Sequence, residues 1–250
     1  MIIYPQKIRT DISVFNSVAP KPLATSIPHL KKRKLCPFPV LTFIGRKDIL
    51  DQMSKYFASN CGSRHIFVLH GLGGSGKSQL AYKFLEDSQA GGDKWYVIES
   101  PNYNCSLFTI LILSFSDIFY IDATNEHTLQ ADLGAIVPGS AEQSVDASLQ
   151  WLAHQHDRRW LIFFDNADDP GLDLGKFIPR TASGNTLITT RNQGVRLLAG
   201  VNASAQVAGM SSDDSTQLLL QLSCIEWNEG NQMLAEKIVK VCTFILIVEK

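Results

Sequence analysis

The sequence predicts an α/β fold, a parallel sheet covered by helices on both faces. Two observations carry the prediction. Short, almost wholly apolar runs such as "HIFVL" (65–69) and "WLIFF" (160–164) alternate with segments of helical period. Strands that are apolar on both faces are buried on both, as in a parallel sheet between helix layers. In addition, the first of these runs passes through a glycine-rich loop directly into a helical segment, a strand–loop–helix unit from which such sheets are built.

The elements follow in order. "RKDILDQMSKYFA" predicts a helix over Arg46–Ala58, and "IFVL" a strand over Ile66–Leu69. A helix runs from Lys77 to about Ser88, with Leu80, Ala81, Phe84 and Leu85 on one face. "KWYVIES" (94–100) reads as a second strand, and residues 105–120 as its crossover helix. Within that segment the run "LFTILILSFSDIFYI" (107–121) is broken by Thr109, Ser114, Ser116 and Asp117 and falls short of the roughly 20 residues of a spanning helix. It therefore reads as a buried helix, and no membrane segment is expected. "SLQWLAHQH" (148–156) is helical, "WLIFFD" (160–165) and "NTLITTR" (185–191) are strands, and "AQVAG" (205–209) is a short one. Ser211 and Asp214 form a capping-box pattern that opens a helix. "QMLAEKIVK" (232–240) is a further helix, followed by "CTFILIV" (242–248), an apolar run of high β propensity.

Composition bounds the function. A hydrophobic fraction of 45% is enough for a sizeable core, and the net charge of −1 gives no support for a nucleic-acid-binding surface. The five cysteines are odd in number and none sits at metal-ligand or CxxC spacing, which points to reduced thiols and a cytoplasmic protein. Residues 1–40 hold six of the ten prolines and read as a linker or disordered tail. They include the basic cluster "KKRK" (31–34), read as solvated rather than as an import signal.

The chemistry sits in "GLGGSGKS", residues 71–78, which fits G-x-x-x-x-G-K-[ST] with Gly71, Gly76, Lys77 and Ser78 in the fixed places. A loop wrapped around phosphates must turn its backbone N–H groups inward, and the glycines, Gly73 and Gly74 among them, permit this without a Cβ clash. The helix that follows aims its positive end at the anion. Lys77 neutralises the β/γ oxygens and the Ser78 hydroxyl binds Mg²⁺. This is a phosphate-binding (Walker A) loop. A second metal-holding group is expected where a neighbouring strand ends, and Asp165 closes "WLIFFD" there, as a Walker B carboxylate that holds Mg²⁺ through water. Asp168 and Asp169 read as a solvated turn before Pro170. Arg191, at the end of "TTR", is placed to touch a γ-phosphate.

Four pieces in order, "FIGRKDIL", "GLGGSGKSQLA", "WLIFFDNADDP" and "IPRTASGNTLITTR", resemble the NB-ARC nucleotide-binding domain of signal-transduction P-loop NTPases, and "VAGMSSDDSTQLLL" extends the match. The resemblance implies a nucleotide-binding domain over 41–225 and the start of a helical subdomain, truncated and atypical, over 226–250. It implies ADP/ATP and Mg²⁺ as ligands, a switch with slow hydrolysis at most, and self-association or signalling partners met through domains outside this sequence. Ile44, Gly45 and Arg46 would lie at the adenine and ribose, Gly71 to Gln79 (with Ser75) around the phosphates, and Asp165 and Arg191 would serve hydrolysis. Two departures stand out. The second acidic position after the metal-binding strand is Asn166, a poor proton acceptor. The proline-containing turn expected after residue 240 is replaced by "VCTFILIVEK". A small-molecule phosphotransferase and a non-catalytic nucleotide-binding module are the competing readings. Arg180 is the only arginine between Asp165 and Arg191, where a phosphotransferase would need a lid with arginines, and no basic cluster is present there.

Overall fold

In a computed structural model the described residues are 33–58, 64–89, 95–98, 109–112, 115–137, 143–155, 159–181 and 184–248. The element order is α1 (Lys47–Ala58), β1 (Arg64–His70), α2 (Lys77–Gln89), β2 (Trp95–Ile98), β3 (Thr109–Ile112), β4 (Asp117–Asp122), α3 (Glu126–Gly134), α4 (Val145–Ala153), β5 (Trp160–Asp165), β6 (Gly184–Thr190), β7 (Ser204–Gln206), α5 (Ser212–Ser223) and α6 (Glu229–Val248). Short 3₁₀ turns cover Leu174–Phe177 and Gln193–Leu198.

Five strands form one parallel sheet in the order β4-β5-β6-β1-β7. The central strands are buried almost throughout, and successive residues alternate between two cores, one on each face of the sheet. Phe67, Leu69, Leu161, Phe163 and Leu187 join Met53, Phe57, Leu80 and Phe84 of α1 and α2 in one core. The intervening residues, Ile66, Val68, Ile162, Phe164 and Ile188, pack instead with Leu129, Leu133 and Leu152 of α3 and α4. The α/β fold class is thus as the sequence predicts.

The segment 105–120 is not a crossover helix. Thr109–Ile112 is β3, which pairs antiparallel with β2 in a separate two-stranded sheet, and Asp117–Asp122 is β4, an edge of the main sheet. Ile118 to Ile121 are buried on both faces, and a continuous apolar run does not tell a doubly buried strand from a buried helix. At the other end of the chain, α6 continues as helix through 242–248, the run read as β-prone. Among the described residues, no helix is long and apolar enough to cross a membrane.

Two of the four residues of the basic cluster stay exposed, as expected, yet make contacts with the domain. The Arg33 guanidinium lies 4.2 Å above the Phe119 ring and donates to the Ile118 carbonyl. Lys34 pairs with Asp122 at 3.1 Å and Asp132 at 3.5 Å. Residues 33–40 then run to the start of α2, where the Val40 N–H donates to the Gln79 side-chain oxygen at 2.9 Å. Lys31 and Lys32 lie outside the described residues.

Candidate nucleotide-binding site

The site forms where β1, β6 and β5 end, side by side. Parallel strands put all their carboxyl ends on one edge, the edge where ligands gather in such sheets. Register levels Leu69 with Thr189 and His70 with Thr190. Phe164 is level with Ile188, so Asp165 stands beside Thr189. Because β6 lies between β1 and β5, its tip stands between the ends of those two strands.

Gly71 to Gly76 leave β1 and turn into α2, whose first residues are Lys77 and Ser78. Gly74 and Gly76 take left-handed backbone angles, φ 73° and 90°. Gly71 sits so close to the Val207 carbonyl that a Cβ there would overlap it. The Lys77 side chain is folded back into the loop and donates to the carbonyls of Gly71 (3.0 Å) and Leu72 (2.7 Å). Burial lowers its pKa; Asp168 opposes that shift and Arg191 adds to it. The His70 imidazole is also held below its ordinary pKa, by burial first and then by the Arg196 and Lys77 charges.

Asp165 is almost completely buried and accepts from hydroxyls on both oxygens. Oδ1 receives Ser78 Oγ at 2.7 Å and Thr189 Oγ1 at 2.5 Å. Oδ2 receives the Tyr82 hydroxyl at 2.7 Å and the Tyr120 hydroxyl at 3.4 Å. Burial first, then the Asp165 carboxylate, pushes the pKa of both phenols well above the usual range, so both stay donors. Sequence reasoning missed Thr189, Tyr82 and Tyr120. Tyr82 carried a readable signal: it lies four residues after Ser78 on one helix, hence on the same face. A hydrogen bond to a buried charged group contributes about 1.5–3 kcal/mol. Tyr82→Phe is therefore expected to lower unfolding stability by roughly that amount, read as a shift in urea midpoint. An unchanged midpoint would show that Asp165 does not depend on this hydroxyl.

The two threonines before Arg191 stitch β6 to the turn after β5. Thr189 Oγ1 accepts the Asn166 N–H at 3.0 Å, and Thr190 Oγ1 donates to the Ala167 carbonyl at 2.5 Å. Asn166 itself is exposed, with a left-handed φ of 60°. Arg191 does not stand free. Its backbone N–H meets Asp168 Oδ1 and its Nε meets Oδ2, both at 2.6 Å. Asp168, read from sequence as part of a solvated turn, is thus the ion-pair partner of the arginine; the pairing spans 23 residues and no local pattern announces it. A Cβ on Gly73 would touch the Arg191 side chain at 3.7 Å, so the arginine borders the glycine loop.

Ile44, Gly45 and Arg46 line a separate cleft of about 500 Å³ with Phe43, Asp214 and Gln217. Asp214, not anticipated there, packs directly on Gly45, which is left-handed at φ 77°. The cleft adjoins the glycine loop through two residues. Arg46 donates to the Ala208 carbonyl, and the preceding Val207 carbonyl abuts Gly71. Gln79, the last residue expected at the phosphates, has its side-chain oxygen engaged by Val40.

Ser78 and Asp165 suit Mg²⁺, a hard cation that takes one or two protein oxygens and fills the rest of its shell with water and phosphate. Among the described residues no group of three or more His, Cys, Asp or Glu could hold a metal by itself.

No family model matches the chain. A curated relative, a nucleotide-binding leucine-rich repeat (NLR)-like protein of Hyaloscypha variabilis, is 27% identical; the match covers 75% of this chain and 19% of the relative. The chain thus spans about a fifth of that protein's length. Similar solved structures include a STAND protein with a tetratricopeptide repeat sensor from Pyrococcus horikoshii, at TM-score 0.44 and 16% identity, covering 78% of this chain and 28% of that one. Another is Cdc6p from Pyrobaculum aerophilum, at TM-score 0.46 and 13% identity, covering 78% and 56%. The ordered motifs and the parallel sheet that bears them give this chain a P-loop NTPase fold, and its sequence is similar to that of the NLR-like protein.

Proposed function

We propose that this domain binds ADP and ATP with Mg²⁺ and works as a signalling switch that hydrolyses ATP slowly. One observation carries the reading: the Ser78 hydroxyl and the Asp165 carboxylate, 87 residues apart, meet at 2.7 Å beside the mouth of the glycine loop. A Mg²⁺ held there would neutralise phosphate charge; Ser78 would ligate it directly and Asp165 would orient its water. The backbone N–H groups of Gly73 to Ser78 and the start of α2 would take the phosphates. Lys77 would exchange two loop carbonyls for phosphate oxygens. The cleft at Ile44, Gly45 and Arg46 would take the nucleoside, and Arg191, beside Gly73, would sense the γ-phosphate. Residues 41–225 form the nucleotide-binding unit in this reading and 226–250 the start of a helical one. The signalling role is drawn from the NLR-like relative and from the motif resemblance.

Isothermal calorimetry tests this. ADP and ATP are expected to bind in the presence of Mg²⁺, and chelation is expected to weaken ATP more than ADP, because the γ-phosphate adds charge that the metal neutralises. Turnover should fall far below the roughly 1–100 per second of kinases. Absence of heat with either nucleotide would rule the reading out. Rapid turnover on addition of a small acceptor would favour a phosphotransferase.

A further inference from the structure

The acidic residue expected next to Asp165 is absent, which leaves open what activates water. Three carboxylates lie in or just after β5. Asp165 is buried, and both its oxygens are occupied by hydroxyl donors, two on each. Asp169 is exposed, and its Oδ1 is turned back to accept the Gly171 N–H at 2.8 Å. Asn166 carries an amide. Asp168 remains. It is close enough to Lys77 to oppose that residue's loss of charge, and it is bound by Arg191, which borders Gly73.

We propose that Asp168 is the catalytic base for hydrolysis and that Arg191 covers it until a γ-phosphate arrives. The assignment rests on the nucleotide-binding reading above. The two contacts to Arg191 differ in kind. Oδ1 is held by the backbone N–H, which cannot leave, whereas Oδ2 is held by the side-chain Nε, which can. A γ-phosphate draws the guanidinium towards itself, since a phosphate offers it two charge-assisted acceptors. Oδ1 then keeps the carboxylate in place while Oδ2 is exposed to water. Water attacks the γ-phosphorus and its proton passes to Oδ2. The bond from the γ-phosphorus to the β,γ-bridging oxygen breaks, and the electron pair leaves on ADP. The proton then moves from Asp168 to the released phosphate. ADP, without a γ-phosphate, leaves the Arg191–Asp168 pair closed, so the base is exposed only in the ATP state.

The test uses the full chain, with nucleotide affinity from calorimetry and the hydrolysis of bound ATP from single-turnover assays. The parent is expected to hydrolyse at a rate on the order of 10⁻³ per second, like an unassisted switch NTPase. Asp168→Asn keeps an oxygen for the Arg191 N–H. It is expected to slow the step about a hundredfold, the usual effect of a general base, with ADP and ATP affinities within about threefold of the parent. Asp168→Glu, which retains a carboxylate, should recover part of the rate. Asp168→Asn hydrolysing at the parent rate would overturn the assignment, as would a parent that binds ATP without hydrolysing it. Parallel loss of rate and affinity would reduce Asp168 to a positioning residue for Arg191. A parent that binds no nucleotide is a different failure, that of the reading on which this one rests.

Discussion

Lys77→Ala is expected to cut ADP and ATP affinity by roughly 30-fold to several-thousand-fold, which corresponds to about 2–5 kcal/mol for removing one partner of a desolvated charge pair. The size of the effect follows from the position of the residue. Lys77 is 8% exposed, and its ammonium donates to the neutral Gly71 and Leu72 carbonyls. Phosphate oxygens are better partners than neutral carbonyls because they carry charge. The backbone N–H groups of the loop and the start of α2 supply only partial charges. Calorimetric titration of the variant against the parent reads the difference, and circular dichroism checks that the fold is retained. Equal affinity in the two chains would mean that the glycine loop is not the phosphate site.

The largest loss of stability is expected from Gly184→Ala, far from the ligand. Gly184 opens β6 with φ at 118°, an angle that side-chain-bearing residues rarely adopt, and a Cβ there would lie inside the Trp160 indole. Trp160 opens β5, is 2% exposed and belongs to the core between the sheet and α3 and α4, so it has nowhere to retreat. Backbone strain of about 1–3 kcal/mol and overpacking of similar size give roughly 2–6 kcal/mol in total. That is a large share of the roughly 5–15 kcal/mol by which domains are stable. Urea denaturation measures it. The double variant Gly184→Ala with Trp160→Leu should recover the packing part and leave the strain. A single variant as stable as the parent would show that β6 can shift at its start without cost.

What could be read from the sequence was what is local. Gly71 to Ser78 form one contiguous loop whose residue types follow from the backbone they must adopt, and Asp165 ends an apolar run of five residues, a length that suits a buried strand better than a helix. The Ser211 cap is equally local: its hydroxyl accepts the Asp214 N–H at 3.0 Å, as the spacing implies. The failures have physical causes. Ile118 to Ile121 are buried on both faces, so their periodicity vanishes. Helix α3 went unseen because its hydrophobic stripe is thin, with Leu129 and Leu133 its buried apolar side chains and the Asn125 cap its clearest mark. The pairing of Asp168 with Arg191 and the phenols of Tyr82 and Tyr120 on Asp165 depend on which strands become neighbours, and strand order leaves no trace within any one segment.

That strand order also fixes when the site can first exist as the chain is made. β1 has no partner near it in sequence; both its neighbours, β6 and β7, are encoded far downstream. From His70 to its partner Thr190 is 120 residues. At about 5–20 residues per second, the strand leading into the glycine loop waits roughly 6–24 seconds for its first partner to be synthesised. Throughout that interval "HIFVLH" presents two unpaired edges, the kind of surface on which nascent chains associate wrongly. Nucleotide can offer no rescue meanwhile, because Thr189 and Arg191 arrive with the same late strand. The nascent chain is therefore a predicted client of chaperones that shield unpaired strands, and its yield should respond to translation speed more than to added nucleotide.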